Sequence, residues 1–213
     1  QRSWIRDGSM TGAACLEFGL RDEPRRFVEW YGGHQFPSGK VPCVVDTRGP
    51  DPVPEHDSHG QLIWAIAAYA RQTGDDALLR DQYPRIAKAV EYIQTLRRER
   101  MTEAYSGKGL STPEPGKPAV PLRAFYGLLP ESISHEGYSA KPMHSYWDDL
   151  FALRGLREAV WAAQRLGKAE DVQAWSAIRD DFTACLRDSI ALTMKTHGID
   201  YVPGCVELGD FDA

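Results

Sequence analysis

A chain of 213 residues with 42% hydrophobic content has enough apolar material for one core of ordinary size. Its formal net charge of -5 and pI of about 5.7 count against a nucleic-acid surface, which carries a basic patch. No apolar run approaches the roughly 18 residues of a membrane span, and no secretory leader opens the sequence.

The chain begins at Gln1, directly before the segment WIRDG, and ends in VELGDFDA. We therefore expect residues 1–213 to form one domain that is part of a longer polypeptide. The four cysteines, Cys15, Cys43, Cys185 and Cys205, form no C-x-x-C pair, which counts against a zinc cluster. Cys15 and Cys185 fall in helical patterns and read as small core residues, while a Cys43–Cys205 disulfide is left open.

Six helices are expected. The first, about Gly8 to Phe18, is rich in small apolar residues. The second starts near Glu23, with Pro24 in its first turn, where the missing N–H costs nothing. The third, about Ser58 to Thr73, has the core LIWAIAAYA and almost no polar face. The fourth, about Asp76 to Met101, is amphipathic, with Ile86, Val90, Ile93 and Leu96 on one side. A break is expected before Pro84. The fifth, about Tyr146 to Leu166, is again apolar nearly all round. The sixth, about Glu170 to Lys195, returns to the amphipathic pattern. Short strands are expected at Phe125 to Leu129 and Ile199 to Val202.

Helices that are apolar all round thus alternate with amphipathic ones. The first kind must be covered on every side, the second on one side only. The economical solution is a layer of inner helices wrapped by outer ones, built from helical hairpins. The hairpin turns echo one another in FGLRDEPRRF, TGDDALLRDQ and LGKAEDVQAW. Each places Gly where an inner helix should end, followed by acids able to cap an outer one. The long connections, Gly33 to Asp57 and Met101 to Ser145, each lead from an outer helix to the next inner one. Long ordered loops of this kind are usually functional.

Polar residues gather before each inner helix. Trp4, Arg6 and Asp7 precede the first. Glu55, His56 and Asp57 precede the third. His144, Tyr146, Trp147, Asp148 and Asp149 lead into the fifth. If the inner helices run parallel, their N-termini share one face. Orphan N–H groups and the helix dipole favour carboxylates there. Aromatics, Arg and paired acids suit sugar rings, which have apolar faces and many hydroxyls. Glycoside cleavage needs a protonated acid and a second carboxylate, and one ionised acid beside another raises its neighbour's pKa.

At these residues the chain resembles the glucoamylase-like (α/α)6 glycoside hydrolases, which include glucoamylases, trehalases and processing glucosidases. WIRDG resembles their W-x-R-D segment, PEHDSHGQLIWAI a segment before the third inner helix, and SYWDD their Trp-acid motif. The resemblance implies an all-α fold of alternating inner and outer hairpins, about half of the twelve-helix toroid. It implies that Arg6 and Asp7 bind sugar hydroxyls, that Trp147 lines the subsite, and that Asp148 is the general acid of an inverting hydrolase, with Asp149 its rival. The family's catalytic base lies in the half not seen here. Glu207, Asp210 and Asp212 read as substrate contacts instead. No cofactor and no metal are expected. The expected partners are a carbohydrate substrate and either further copies of the chain or the other half of the barrel, with neither nucleic acid nor membrane. Two alternatives stay open. One is a glycoside phosphorylase of the same architecture, using His56, His59 or His144 toward phosphate. The other is a non-catalytic carbohydrate-binding module.

Overall fold

The computed structural model describes residues 2–133 and 141–209. Among these the chain is all-α apart from three very short strands. The helices are α1 (Ile5–Glu17), α2 (Asp22–Gly32), α3 (Asp57–Thr73), α4 (Asp76–Arg98), α5 (Glu103–Ser106), α6 (Tyr146–Arg165) and α7 (Ala169–His197). A 3-10 turn covers Leu122–Phe125. The strands β1 (Ser3–Trp4), β2 (Val44–Asp46) and β3 (Gly49–Pro50) pair antiparallel in that order. Among the described residues no helix is long and apolar enough to cross a membrane. All four cysteines are free thiols.

The chain divides into two compact units, Gln1–Ile93 with Phe151–Arg179 and Gln94–Leu150 with Asp180–Ala213. In the first unit the helix directions follow from side-chain partners. Arg6 meets Asp57, Ser9 meets Gln61, and Glu17 meets Gln72. The partners advance together along both helices, so α1 and α3 run the same way. Likewise Gly60 lies against Phe151 and Gly155, and Arg71 pairs with Glu158, so α3 and the Phe151–Arg165 part of α6 are parallel. By contrast Phe27 abuts Gly8 and Pro24 abuts Gly12, so α2 runs antiparallel to α1. Tyr92 near the end of α4 meets His59 at the start of α3, so α4 is antiparallel to α3. Parallel inner helices with antiparallel outer partners are thus present within this unit.

The inner helices approach closely because glycine permits it. A Cβ on Gly60 would stand 1.9 Å from the carbonyl oxygen of Phe151, and one on Gly155 would stand 2.5 Å from the Cα of Gly60. Most of α3, from Asp57 to Ala70, is buried. In α1 only Ile5, Ser9 and Leu16 are buried. The three echoing turns behave alike: Gly19, Gly74 and Gly167 take φ of 79°, 73° and 69°, the left-handed conformation that ends a helix at no steric cost. Of the acids expected to cap the outer helices, Asp75 does so, accepting the Leu78 N–H at 2.9 Å.

Several expectations are corrected. Helix α4 is continuous through Pro84. Pro84 and Arg80, whose carbonyl loses its partner, are both exposed, which leaves that carbonyl open to solvent, while buried Leu79, Ile86, Val90 and Ile93 hold the helix on its other side. The segment expected as a strand at Phe125 to Leu129 starts within the 3-10 turn and forms no strand, and neither does Ile199 to Val202. Helix α1 begins at Ile5, three residues earlier than the apolar pattern indicated, because β1 delivers Trp4 directly into its N-cap.

In the second unit Arg97 is fully buried. It donates to the carbonyl of Gly127 at 2.8 Å, to Gln94 at 3.0 Å and to Asp181 at 2.7 Å. Its guanidinium also lies 4.4 Å from the ring centroid of Phe182. This side chain ties the end of α4 to α7 and to the loop after the 3-10 turn. Isolated bridges join Ser132 to Met143 and Ser145 to Cys205, fixing the approach to α6.

Candidate functional site

In the first unit, β1 and β2 set the entry to α1. The Ile5 N–H donates to the carbonyl of Cys43 at 3.0 Å, and Trp4 occupies the N-cap. One turn on, Arg6 reaches Glu55 at 3.5 Å and Asp57 at 3.4 Å. Asp57 also accepts from Gln61 at 3.0 Å, and Gln61 accepts from the Ser9 hydroxyl at 2.7 Å. Glu55, His56 and Asp57 are buried, whereas Asp7 is exposed. Burial pushes the Cys43 thiol well above its ordinary value, and Glu55 beside it adds to the effect. Arg6, Glu55 and Asp57 are therefore brought together. Gln61, which closes the PEHDSHGQ cluster of polar residues, and Ser9 complete the network; the only sequence signal of Ser9 was its polarity inside an apolar stretch.

His59 is a core residue. Its Nδ1 accepts from the Val41 N–H at 3.1 Å, so the proton lies on Nε2, which has no hydrogen-bond partner among the described residues. Burial, then His56 and Lys40, hold its pKa well below that of a free histidine. A neutral, enclosed imidazole is no anion ligand.

In the second unit, Asp148 and Asp149 stand in the first turn of α6, where Tyr146 and Trp147 precede them. Asp148 accepts a short hydrogen bond from the Ser132 hydroxyl. Asp149 accepts the Leu129 N–H at 3.0 Å through Oδ1, while Oδ2 is buried with no hydrogen-bond partner among the described residues. Burial pushes the Asp149 carboxyl up to about 7; the Leu129 N–H and Arg97 oppose the rise and Glu207 adds to it. Desolvation, more than a like-charged neighbour, is thus what keeps a proton at this helix mouth. The Tyr146 hydroxyl is engaged inside the unit by Ser189 at 2.7 Å and Thr193 at 2.8 Å. Trp147 is 40% exposed.

His144 is wedged between charges. Arg100 donates from Nε to His144 Nε2 at 3.0 Å, so the ring proton sits on Nδ1 and goes to Glu207 Oε1 at 2.6 Å. Arg100 also pairs with Glu131. Neither Arg100, Glu131 nor Ser132 carried a sequence signal, because each lies in irregular chain or at a helix end. Asp210 and Asp212 lie outside the described residues.

Over 93 residues the chain is 30% identical to an uncharacterized glycosyl hydrolase of Methanocaldococcus jannaschii. The aligned part is 43% of this chain and 15% of that protein's length. No family model matches, and no solved structure matches.

The two clusters differ chemically. The first offers a guanidinium flanked by two carboxylates, which can bind vicinal hydroxyls from both sides. The second offers a pair of carboxyls, one of which stays protonated up to near neutrality, which is the property of a proton donor.

Proposed function

We propose that this chain is part of a glycoside hydrolase of the glucoamylase-like (α/α)6 type, inverting in outcome. In this reading Trp4, Arg6, Asp7, Glu55, His56 and Asp57 bind the sugar in the cleaved subsite. Asp148 is the general acid, and Trp147 offers its exposed ring to the sugar face. His144 and Tyr146 support Asp148 and Trp147 within the second unit. Asp149 is assigned a positioning role, since Oδ1 is engaged by Leu129 and the carboxyl is enclosed. No described residue is assigned as catalytic base.

The observation that carries the reading is the pair of buried carboxyls in the first turn of α6, directly beside the exposed ring of Trp147. Mutual support comes from the parallel inner helices and from the similarity to a glycosyl hydrolase. The test is hydrolysis of disaccharides and aryl glycosides by the native protein. Asp148→Asn should lower kcat by about 10²–10⁴-fold, the usual worth of a general acid, with sugar affinity little changed. Arg6→Ala should instead act mainly on KM. Undiminished turnover in both Asp148→Asn and Asp149→Asn would contradict the reading.

A further inference from the structure

The second unit contains a cavity of about 390 Å³ that involves neither Asp148 nor Asp149. That falls within the roughly 300–1,000 Å³ of small-molecule sites. Its apolar surface comes from Leu122, Phe125 and Met143, with Tyr105 at the wall. Its polar surface includes three carboxylates, Glu114, Glu131 and Glu207, together with Lys141, His144 and the hydroxyls of Ser111 and Thr112.

Each carboxylate is already held by one partner. Lys141 contacts Glu114 at 2.5 and 2.6 Å, Arg100 pairs with Glu131, and the His144 ring donates to Glu207 at 2.6 Å. The backbone N–H of His144 adds contacts to Glu207 at 3.1 and 3.2 Å. Lys141 and Arg100 offset two of the three negative charges, and the neutral His144 ring fixes the third carboxylate in place. A carboxylate has about four lone-pair sites, so acceptor capacity remains on each. The wall is therefore rich in fixed acceptors, left with the single uncompensated charge of Glu207, and apolar on one side. A free cation gains little there. A neutral polyol gains a donor–acceptor match for its hydroxyls and an apolar seat for its C–H face.

We infer that this cavity is a second saccharide subsite, taking a neutral pyranose whose hydroxyls donate to Glu131 and Glu207 while its C–H face rests on the Phe125–Met143 side. The ligand class rests on the glycoside reading above; apart from His144, the site itself is built from other residues. The Arg100–His144–Glu207 chain is its positioning device, because the fixed tautomer of His144 orients the Glu207 carboxylate.

The experiment is a calorimetric titration of the native protein with methyl glucosides and maltose. It is repeated on Glu131→Gln, on Thr112→Trp, which fills the cavity from an exposed wall position, and on Arg6→Ala, with circular dichroism confirming that each is folded. Glu131→Gln and Thr112→Trp should each weaken one binding event by about tenfold or more, equivalent to about 1.4 kcal/mol, and Arg6→Ala should leave that event intact. Folded Glu131→Gln and Thr112→Trp variants that bind as wild type does would overturn the inference. So would the absence of any saccharide binding at tens of millimolar, or uptake of tetramethylammonium in place of neutral sugar. Saccharide binding in the cavity without any hydrolysis by the native protein would instead remove only the hydrolase reading. Hydrolysis lost in Asp148→Asn with the cavity variants binding normally would remove only the subsite.

Discussion

Asp149 is the residue whose environment departs furthest from its ordinary one. Its folded pKa of about 7 lies above the value near 3.9 of a free aspartate. Between these two values the unfolded chain has lost its proton while the folded chain keeps it, so stability falls as pH rises from about 4 to about 7, then levels off. Asp149→Asn keeps an acceptor for the Leu129 N–H and has no proton to lose. Thermal melts at pH 5 and pH 8 should show wild type losing stability at the higher pH and Asp149→Asn losing much less. Equal pH dependence in the two proteins would show that the carboxyl titrates normally. That two acids open α6 was legible in the sequence. Their enclosure was not, because Leu129 and Ser132, which contact them, lie in a Pro- and Gly-rich loop with no periodic pattern. An arginine beside the apolar side of an amphipathic helix is expected to face solvent, yet Arg97 is fully buried. Truncating it to Ala removes the hydrogen bond to the Gly127 carbonyl and the contact with Phe182. The expected cost is about 2–4 kcal/mol by denaturant titration, with the ion-pair share small because Asp181 is half exposed.

At the scale of elements, the packing of α3 against α6 depends on two glycines that face each other. Gly60→Ala would push a methyl into the backbone of Phe151, and no side-chain rotation can relieve that contact. A loss of at least about 1–3 kcal/mol is expected, read from the shift of a urea midpoint; a neutral substitution would mean that the helices can separate without cost. The alternation of greasy and amphipathic helices made these elements readable, since helix periodicity and the glycine-ended turns are local signals. No comparable signal marks α5 or β1, β2 and β3, which are two to four residues long. Elements of that length show no period. Pro84 misled for a related reason: the proline rule describes an isolated helix, whereas α4 is held by its buried face.

For the molecule as a whole, α1 is the inner helix least covered. Met10, Thr11, Ala14 and Phe18 are exposed along one side of it, Phe18 at 85%. We propose that this side associates, either with another copy or with further polypeptide, because contiguous apolar surface drives association. Light scattering at micromolar concentration should report a species larger than the monomer, and Phe18→Ser with Met10→Ser should shift it toward the monomer. A clean monomer in wild type would remove this proposal.

The account rests on Asp148 delivering a proton to a glycosidic oxygen, and leaving-group dependence tests that step most directly. A glycosyl fluoride leaves without protonation, whereas a sugar leaving group does not. The native protein carrying Asp148→Asn should lose about 10²-fold or more in kcat on a disaccharide and lose far less on the matching glycosyl fluoride. Equal losses on both substrates, or none on either, would contradict it.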